Sequence, residues 1–117
     1  MFENLKIENQ VVDIPMPEDI TLTIKREDKN HPFVSGNKLR KLKYNIAEAI
    51  KQGKNTLLTF GGAYSNHIAA TAAAGQRMGL RTIGVIRGDE LESKISVNPT
   101  LKFAKSCGMD FYFVTRE

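Results

Sequence analysis

The stretch Gly61-Gly62-Ala63-Tyr64-Ser65-Asn66-His67 joins a glycine turn to short polar side chains, a combination suited to holding an anion. An apolar run over 55–60 precedes it, and an alanine-rich segment over 66–78, stopped by Gly79, follows it. The order is that of a buried strand, a turn and a helix. Ligands of open α/β sheets sit outside the carboxyl ends of the strands, where a helix N-terminus offers unpaired N–H groups and a positive dipole end. A carboxylate or phosphate would suit such a place, with Ser65 and Asn66 adding donors. The same two residues would serve equally well as a plain helix cap. The spacing is neither a P-loop, which needs Gly-Lys-Ser/Thr, nor the Gly-x-Gly-x-x-Gly dinucleotide fingerprint.

Lys38 is the second candidate. It follows the turn residues Ser35-Gly36-Asn37 and opens a segment in which Leu39, Leu42, Ile46, Ala49 and Ile50 recur at helical spacing, with Gly53 as the stop. A lysine at a helix N-terminus is misplaced by roughly 0.3–1 kcal/mol, whereas one pKa unit is worth about 1.36 kcal/mol. The dipole alone therefore cannot make Lys38 a neutral nucleophile. Desolvation, or imine formation with an aldehyde cofactor, would have to supply the rest. Without either, Lys38 is a surface lysine.

The elements that position these residues follow from the pattern around them. Residues 1–19, with Pro15 and Pro17, read as an arm containing an extended piece near 11–14. The alternation over 20–25 predicts a half-buried strand, and 26–32 a polar loop. After the two candidate segments come an apolar β-branched run over 82–86, a polar loop over 87–96, a helix opened by Asn98-Pro99 and running to Cys107, a stop at Gly108, and a strand over 110–114. Strands alternating with single helices predict an α/β fold with an open parallel, doubly wound sheet and crossover helices. Three parallel strands are fewer than the roughly four to six usual for a sheet, so the fold is expected to be incomplete. Ala69, Ala70, Ala72, Ala73 and Ala74 leave the second helix smooth, which suits close packing on a sheet or beside a bound cofactor.

Composition excludes several classes. The 117 residues are 41% hydrophobic and 26% charged, as in an ordinary folded protein rather than a disordered one. The 17 Lys plus Arg against 13 Asp plus Glu leave +4, with the densest basic run at Lys38, Arg40, Lys41 and Lys43. That run lacks interleaved aromatics and reads as a solvated helix face rather than a nucleic-acid site. No stretch approaches the roughly 18 apolar residues of a membrane span, and the first residues do not open a signal peptide, so no membrane association and a cytoplasmic location are expected. Cys107 is the single cysteine and is expected to be buried and inert. His31 and His67 are far apart without ligand-like companions, so no metal site is expected.

Taken together, Ser35-Gly36-Asn37-Lys38-Leu39-Arg40-Lys41-Leu42 and Gly61-Gly62-Ala63-Tyr64-Ser65-Asn66-His67, in this order, resemble the N-terminal part of the 1-aminocyclopropane-1-carboxylate deaminase and D-cysteine desulfhydrase family. The resemblance runs from about Ile20 to the C-terminus, through Arg26-Glu27-Asp28. It implies a fold of the tryptophan-synthase-β type, with residues 1–54 in a larger domain and 55–117 forming a βαβαβ part of a smaller one. It implies pyridoxal 5'-phosphate as cofactor, joined covalently to Lys38, with Asn66 bonded to its phenolic oxygen and Lys41 directed to its phosphate. Ser65, Asn66, His67 and the following backbone amides would hold the carboxylate of a small amino-acid substrate, and Ser65 would also touch the reacting centre.

The implied reaction is elimination or ring opening that releases ammonia and a 2-oxo acid, catalysed by a homodimer. Ala63-Tyr64 departs from the apolar residue and Gln often found there, and His67 is closer to the desulfhydrase branch. The remaining cofactor contacts would lie beyond Glu117. The competing reading is a catalytically silent α/β anion-binding module, or an inactive fragment of such an enzyme.

Overall fold

A computed structural model describes residues 2, 3 and 5–117; Met1 and Asn4, within the expected N-terminal arm, lie outside the described residues. The chain order is β1 (Asn9–Val11), β2 (Thr23–Lys25), α1 (Asn37–Lys51), β3 (Thr56–Gly62), α2 (Asn66–Met78), β4 (Arg81–Arg87), α3 (Pro99–Ser106) and β5 (Asp110–Val114). Short 3₁₀ turns at Glu27–Lys29 and Asp89–Lys94 interrupt the two stretches read as loops. The sheet β3-β4-β5 is parallel throughout, with Leu58 opposite Ile83 and Ile83 opposite Asp110.

Each helix carries the boundary signals its sequence offers. Leu39, Leu42 and Ile46 turn one face of α1 into the core. Ser65 caps α2, and Gly79 at φ 68° closes it in the left-handed conformation. Asn98 caps α3 by accepting the Leu101 N–H at 3.0 Å, with Pro99 in the first turn, where its missing N–H costs nothing. Two apolar clusters result. One joins Val34, Leu39, Leu42 and Ile46 to Ala70, Ala73 and Ala74, seating α1 on the alanine face of α2. The other joins Ile68 and Ala72 of α2 to Leu101 and Ala104 of α3 and Ile86 of the sheet.

The alanines and Gly75 are explained by closeness of approach. A Cβ at Gly75 would collide with the Thr82 side chain on β4, so only glycine lets α2 lie this near the sheet.

The doubly wound arrangement expected from the alternation is corrected to a sheet covered on one face. Strand order follows chain order, so two crossovers of the same hand place α2 and α3 on the same side. Leu57, Thr82, Ile86, Phe111 and Phe113 turn toward that layer, while Leu58, Phe60, Tyr112 and Val114 on the other face are 45–70% exposed. The run over 55–60, read as a buried strand, is therefore an edge strand with one open face.

The half-buried strand expected over 20–25 is likewise shortened to β2. It pairs antiparallel with β1, and both are exposed along their whole length. Its alternation finds no layer to pack against. This extended arm contributes to a radius of gyration of 17.4 Å, against roughly 13 Å for a compact chain of about 100 residues.

Candidate functional site

Lys38 is placed by the loop that precedes its helix. Gly36, the residue before α1, has φ 67° and ψ −147°, a conformation open essentially to glycine alone. The Asn30 side chain holds it by accepting the Gly36 N–H at 3.1 Å and donating to the Gly36 carbonyl at 3.3 Å. Glu27 ties the same loop to the helix. Its carboxylate accepts from Arg40 Nη2 at 2.7 Å and from Nε at 3.1 Å, a two-pronged pair that holds its carboxyl below the ordinary range. His31 Nδ1 accepts the N–H groups of Phe33 and Val34, which turns the chain so that Val34 is fully buried. Lys38 emerges from this frame half-buried, with Leu39 beside it in the core. Among the described residues Lys38 takes part in no ion pair.

The second half of the site comes from the turn between β3 and α2. A Cβ on Gly61 would stand 2.7 Å from Ile68 Cγ1, so glycine is required for the turn to fold back over the first residues of α2. Ser65 Oγ accepts the N–H groups of His67 at 3.2 Å and Ile68 at 3.4 Å. Two of the amides expected to face an anion are thus bonded to Ser65, which acts as a helix cap while its own hydroxyl hydrogen stays available. Asn66 is exposed and His67 half-buried. His67 Nε2 lies 2.8 Å from Thr59 Oγ1 on β3. Burial foremost, then the positive charges of Lys38 and Lys41, push the His67 imidazole below its ordinary pKa of 6.5, so at neutral pH the ring is uncharged.

These two halves meet at one cavity of about 520 Å³, lined by Lys38, Ser65, Asn66 and His67, with Phe33 and Asp28 on its loop side. Lys41 does not line it. Its side chain is exposed one turn along α1, close enough for its charge to help lower the His67 pKa. Asp28 is held charged by Arg26, whose Nη2 and Nε reach the carboxylate at 2.6 and 2.8 Å. The lining offers the Lys38 amine, the neutral His67 imidazole, the hydroxyls of Ser35 and Ser65, the amides of Asn37 and Asn66, and the Arg26-paired carboxylate of Asp28. That set can bind a carbonyl-bearing group covalently and steady an oxygen-rich ligand by hydrogen bonds.

Asn30, Glu27 and Thr59 carry structural duties here that the sequence does not single out. Asn30 sits six residues before Gly36 in an irregular loop, and Thr59 is one threonine in a strand, so no spacing rule marks either. A second cavity of about 480 Å³ lies across the Ser65 turn, lined by Tyr64, Arg87, Leu91 and Arg116. Arg116 is paired there with Glu90 at 2.6 Å. Cys107 is half-buried beside both apolar clusters, and desolvation pushes its thiol pKa up. Among the described residues no three His, Cys, Asp or Glu side chains group to hold a metal ion, and no helix is long and apolar enough to cross a membrane.

Comparison with known proteins adds relatives to this geometry. No family model matches the chain. It is 41% identical over 76 residues to the bifunctional D-cysteine desulfhydrase/1-aminocyclopropane-1-carboxylate deaminase, mitochondrial, of Arabidopsis thaliana, a match over 65% of this chain and 19% of that protein. It is 41% identical over 63 residues to the D-cysteine desulfhydrase of Salmonella paratyphi B, over 54% of this chain and 19% of that protein. A crystal structure described as that of an ACC deaminase homologue superimposes with a TM-score of 0.67 at 32% identity, over 80% of this chain and 27% of that one. The chain thus resembles these proteins in sequence and fold, while spanning about a fifth of the length of the curated relatives it matches.

Proposed function

We propose that this chain carries part of the active site of a pyridoxal-phosphate-dependent deaminase or desulfhydrase. Its substrate would be a small amino acid of the 1-aminocyclopropane-1-carboxylate or D-cysteine kind, and its products ammonia and a 2-oxo acid. The observation that carries this reading is that Lys38 and Ser65-Asn66-His67, on separate helices, line the same cavity. Relatives bearing both activity names support it.

The donor set fits the cofactor. Lys38 is a half-buried amine without an ion-pair partner among the described residues; Ser65, Asn66 and His67 share its cavity as neutral donors, and the carboxylate on the lining, Asp28, is engaged by Arg26. When bound, the cofactor acts as an electron sink for charge developing on the substrate carbon. Asn66 would hold the cofactor's ring oxygen and Lys41 would approach its phosphate. Ser65, with its free hydroxyl hydrogen, and His67 would orient the substrate carboxylate. The Lys38 amine, once released, would move a proton at the substrate carbon that bears nitrogen. The same reading assigns residues 1–54 to a larger domain and 55–117 to a smaller one, in a cytoplasmic homodimer.

The test is an absorbance spectrum after incubation with pyridoxal 5'-phosphate, then borohydride reduction and peptide mapping, with Lys38→Ala alongside. A visible band whose reduced label maps to Lys38 and disappears in the variant is the expected result. Label spread over surface lysines, or none, would overturn the cofactor reading. Binding of inorganic phosphate at the cavity without any Lys38 label would instead support the silent anion-binding module.

A further inference from the structure

Arg87 and Arg116 both line the cavity of about 480 Å³ across the Ser65 turn, and no Asp or Glu lines it. The strand register sets Arg87, the last residue of β4, between Gly62 of β3 and Val114 of β5. The cavity therefore lies at the carboxyl ends of the strands, where open parallel sheets take their ligands.

The two arginines differ in how far they are committed. Among the described residues Arg87 takes part in no ion pair. Arg116 is held by Glu90, whose Oε1 accepts from Nη2 at 2.6 Å and from Nε at 2.8 Å. One carboxylate oxygen takes both bonds, and Nη1 has no partner among the described residues. Gly88 makes room for this pair. Its φ of 114° favours glycine, and a Cβ there would stand 3.0 Å from Arg116 Nη2 and 3.1 Å from Glu90 Oε1. Its N–H donates to the Val114 carbonyl at 2.8 Å, which ties the end of β4 to β5 and fixes the corner against which the pair packs.

Charge then indicates the occupant. Asp89 and Glu92 stand in the neighbouring 3₁₀ turn, but neither lines the cavity or pairs with an arginine among the described residues. The fixed charge on the lining is thus positive. Guanidinium N–H groups share a plane and match the paired oxygens of a carboxylate or phosphate, in bonds about twice as strong as neutral ones. Both side chains are exposed, so a dissolved anion reaches them without rearrangement of the fold.

We infer that this cavity is a second binding site, separate from the one that holds Lys38, for an oxyanion of the carboxylate or phosphate class. Arg87 supplies the uncommitted guanidinium, and Arg116 the one that Glu90 holds in position. The inference goes beyond the function proposed above and does not rest on it.

The test is titration of the 117-residue chain at pH 6.5 with inorganic phosphate and, separately, with acetate, while sodium chloride keeps the ionic strength constant. The arginine Nε–H signals in ¹H–¹⁵N NMR are the readout. Saturable shifts at Arg87 and Arg116 are expected with at least one probe. Saturation by phosphate alone identifies a phosphoryl group, by acetate alone a carboxylate, and by both a site that takes either. Arg87→Gln and Arg116→Gln should each weaken binding roughly 10- to 100-fold, as loss of one hydrogen bond to a charged group does. Their backbone amide spectra report that the fold is kept. Lys38→Ala should bind as the unmodified chain does. Shifts that grow without saturating in both titrations overturn the inference, as does unchanged affinity in either Gln variant. Binding lost in Lys38→Ala would place the anion in the other cavity and overturn it too.

Discussion

Asn30 grips Gly36 by both polar ends of its side-chain amide, one accepting the glycine N–H and the other donating to its carbonyl. The glycine so held is the residue from which α1 departs, two positions before Lys38. The direction in which Lys38 enters the cavity is therefore set from outside its own helix, by a loop that has little apolar burial of its own beyond Val34.

Removing that grip should loosen the start of α1. Asn30→Ala is expected to cost about 0.5–1.5 kcal/mol, because the Gly36 carbonyl loses its side-chain partner while the Gly36 N–H keeps the Glu27 carbonyl at 2.9 Å. Gly36→Ala should cost about 1–3 kcal/mol through backbone strain alone. Urea denaturation checks both, and wild-type stability in either variant would show that the loop does not organise the helix.

Ser65 has a structural duty that is separable from any chemical one. Ser65→Ala should lower stability by about 0.5–2 kcal/mol through loss of the cap over His67 and Ile68, while Ser65→Asp should keep most of it. Thermal melts of the two variants measure this directly. An Asp variant that is stable yet fails in Lys38-dependent chemistry would separate capping from function.

Close approach of α2 to β4 makes a paired prediction. Gly75→Ala should destabilise by about 1–3 kcal/mol through overpacking against Thr82. Thr82→Ser removes the methyl that would be struck. The double variant should recover part of the loss, and strict additivity in denaturant melts would place the clash elsewhere.

The two histidines predict a pH dependence of fixed sign. Burial first, then nearby positive charge, depresses both pKa values below 6.5 in the folded chain. Folding then favours the neutral rings. Their contribution is fully present above 6.5 and is lost as pH falls through the depressed folded values. Tm should decline between pH 7.5 and 5, before Glu27, Asp28 and Glu90, whose pKa values lie below the ordinary carboxylate range, lose their arginine pairs at still lower pH. His31→Asn and His67→Gln should each flatten the first decline; a curve unchanged in both would reject the assignment.

Much of this was legible in the sequence because it was written locally. The Ser65 and Asn98 caps, the Gly79 stop and the 3.6-residue spacing of Leu39, Leu42 and Ile46 are decided within a few residues, and α2 and β5 fall where the pattern places them. The two motifs that suggested a shared site do line one cavity. What escaped was relational. Alternation over 20–25 says that a strand could have a buried face, not that a layer exists to bury it. An apolar run over 55–60 cannot reveal whether its strand is central or at an edge. Asn30, Glu27 and Thr59 act through partners 6, 13 and 8 residues away, and no periodicity connects them.

The uncovered side of the sheet gives the isolated chain the character of a surfactant. Leu58, Phe60, Tyr112 and Val114 form a greasy plate, while Arg81 and Arg87 at the two ends of the central strand add to a positive net charge that keeps copies apart. Mutual repulsion of this kind acts over a screening length of only about 8 Å at physiological ionic strength, and over less as salt rises. Contact between two such plates is strengthened by excluded salts such as sulfate. Colloidal behaviour should therefore run opposite to that of a particle held together by charge: dilute buffer disperses the chain, and brine clouds it.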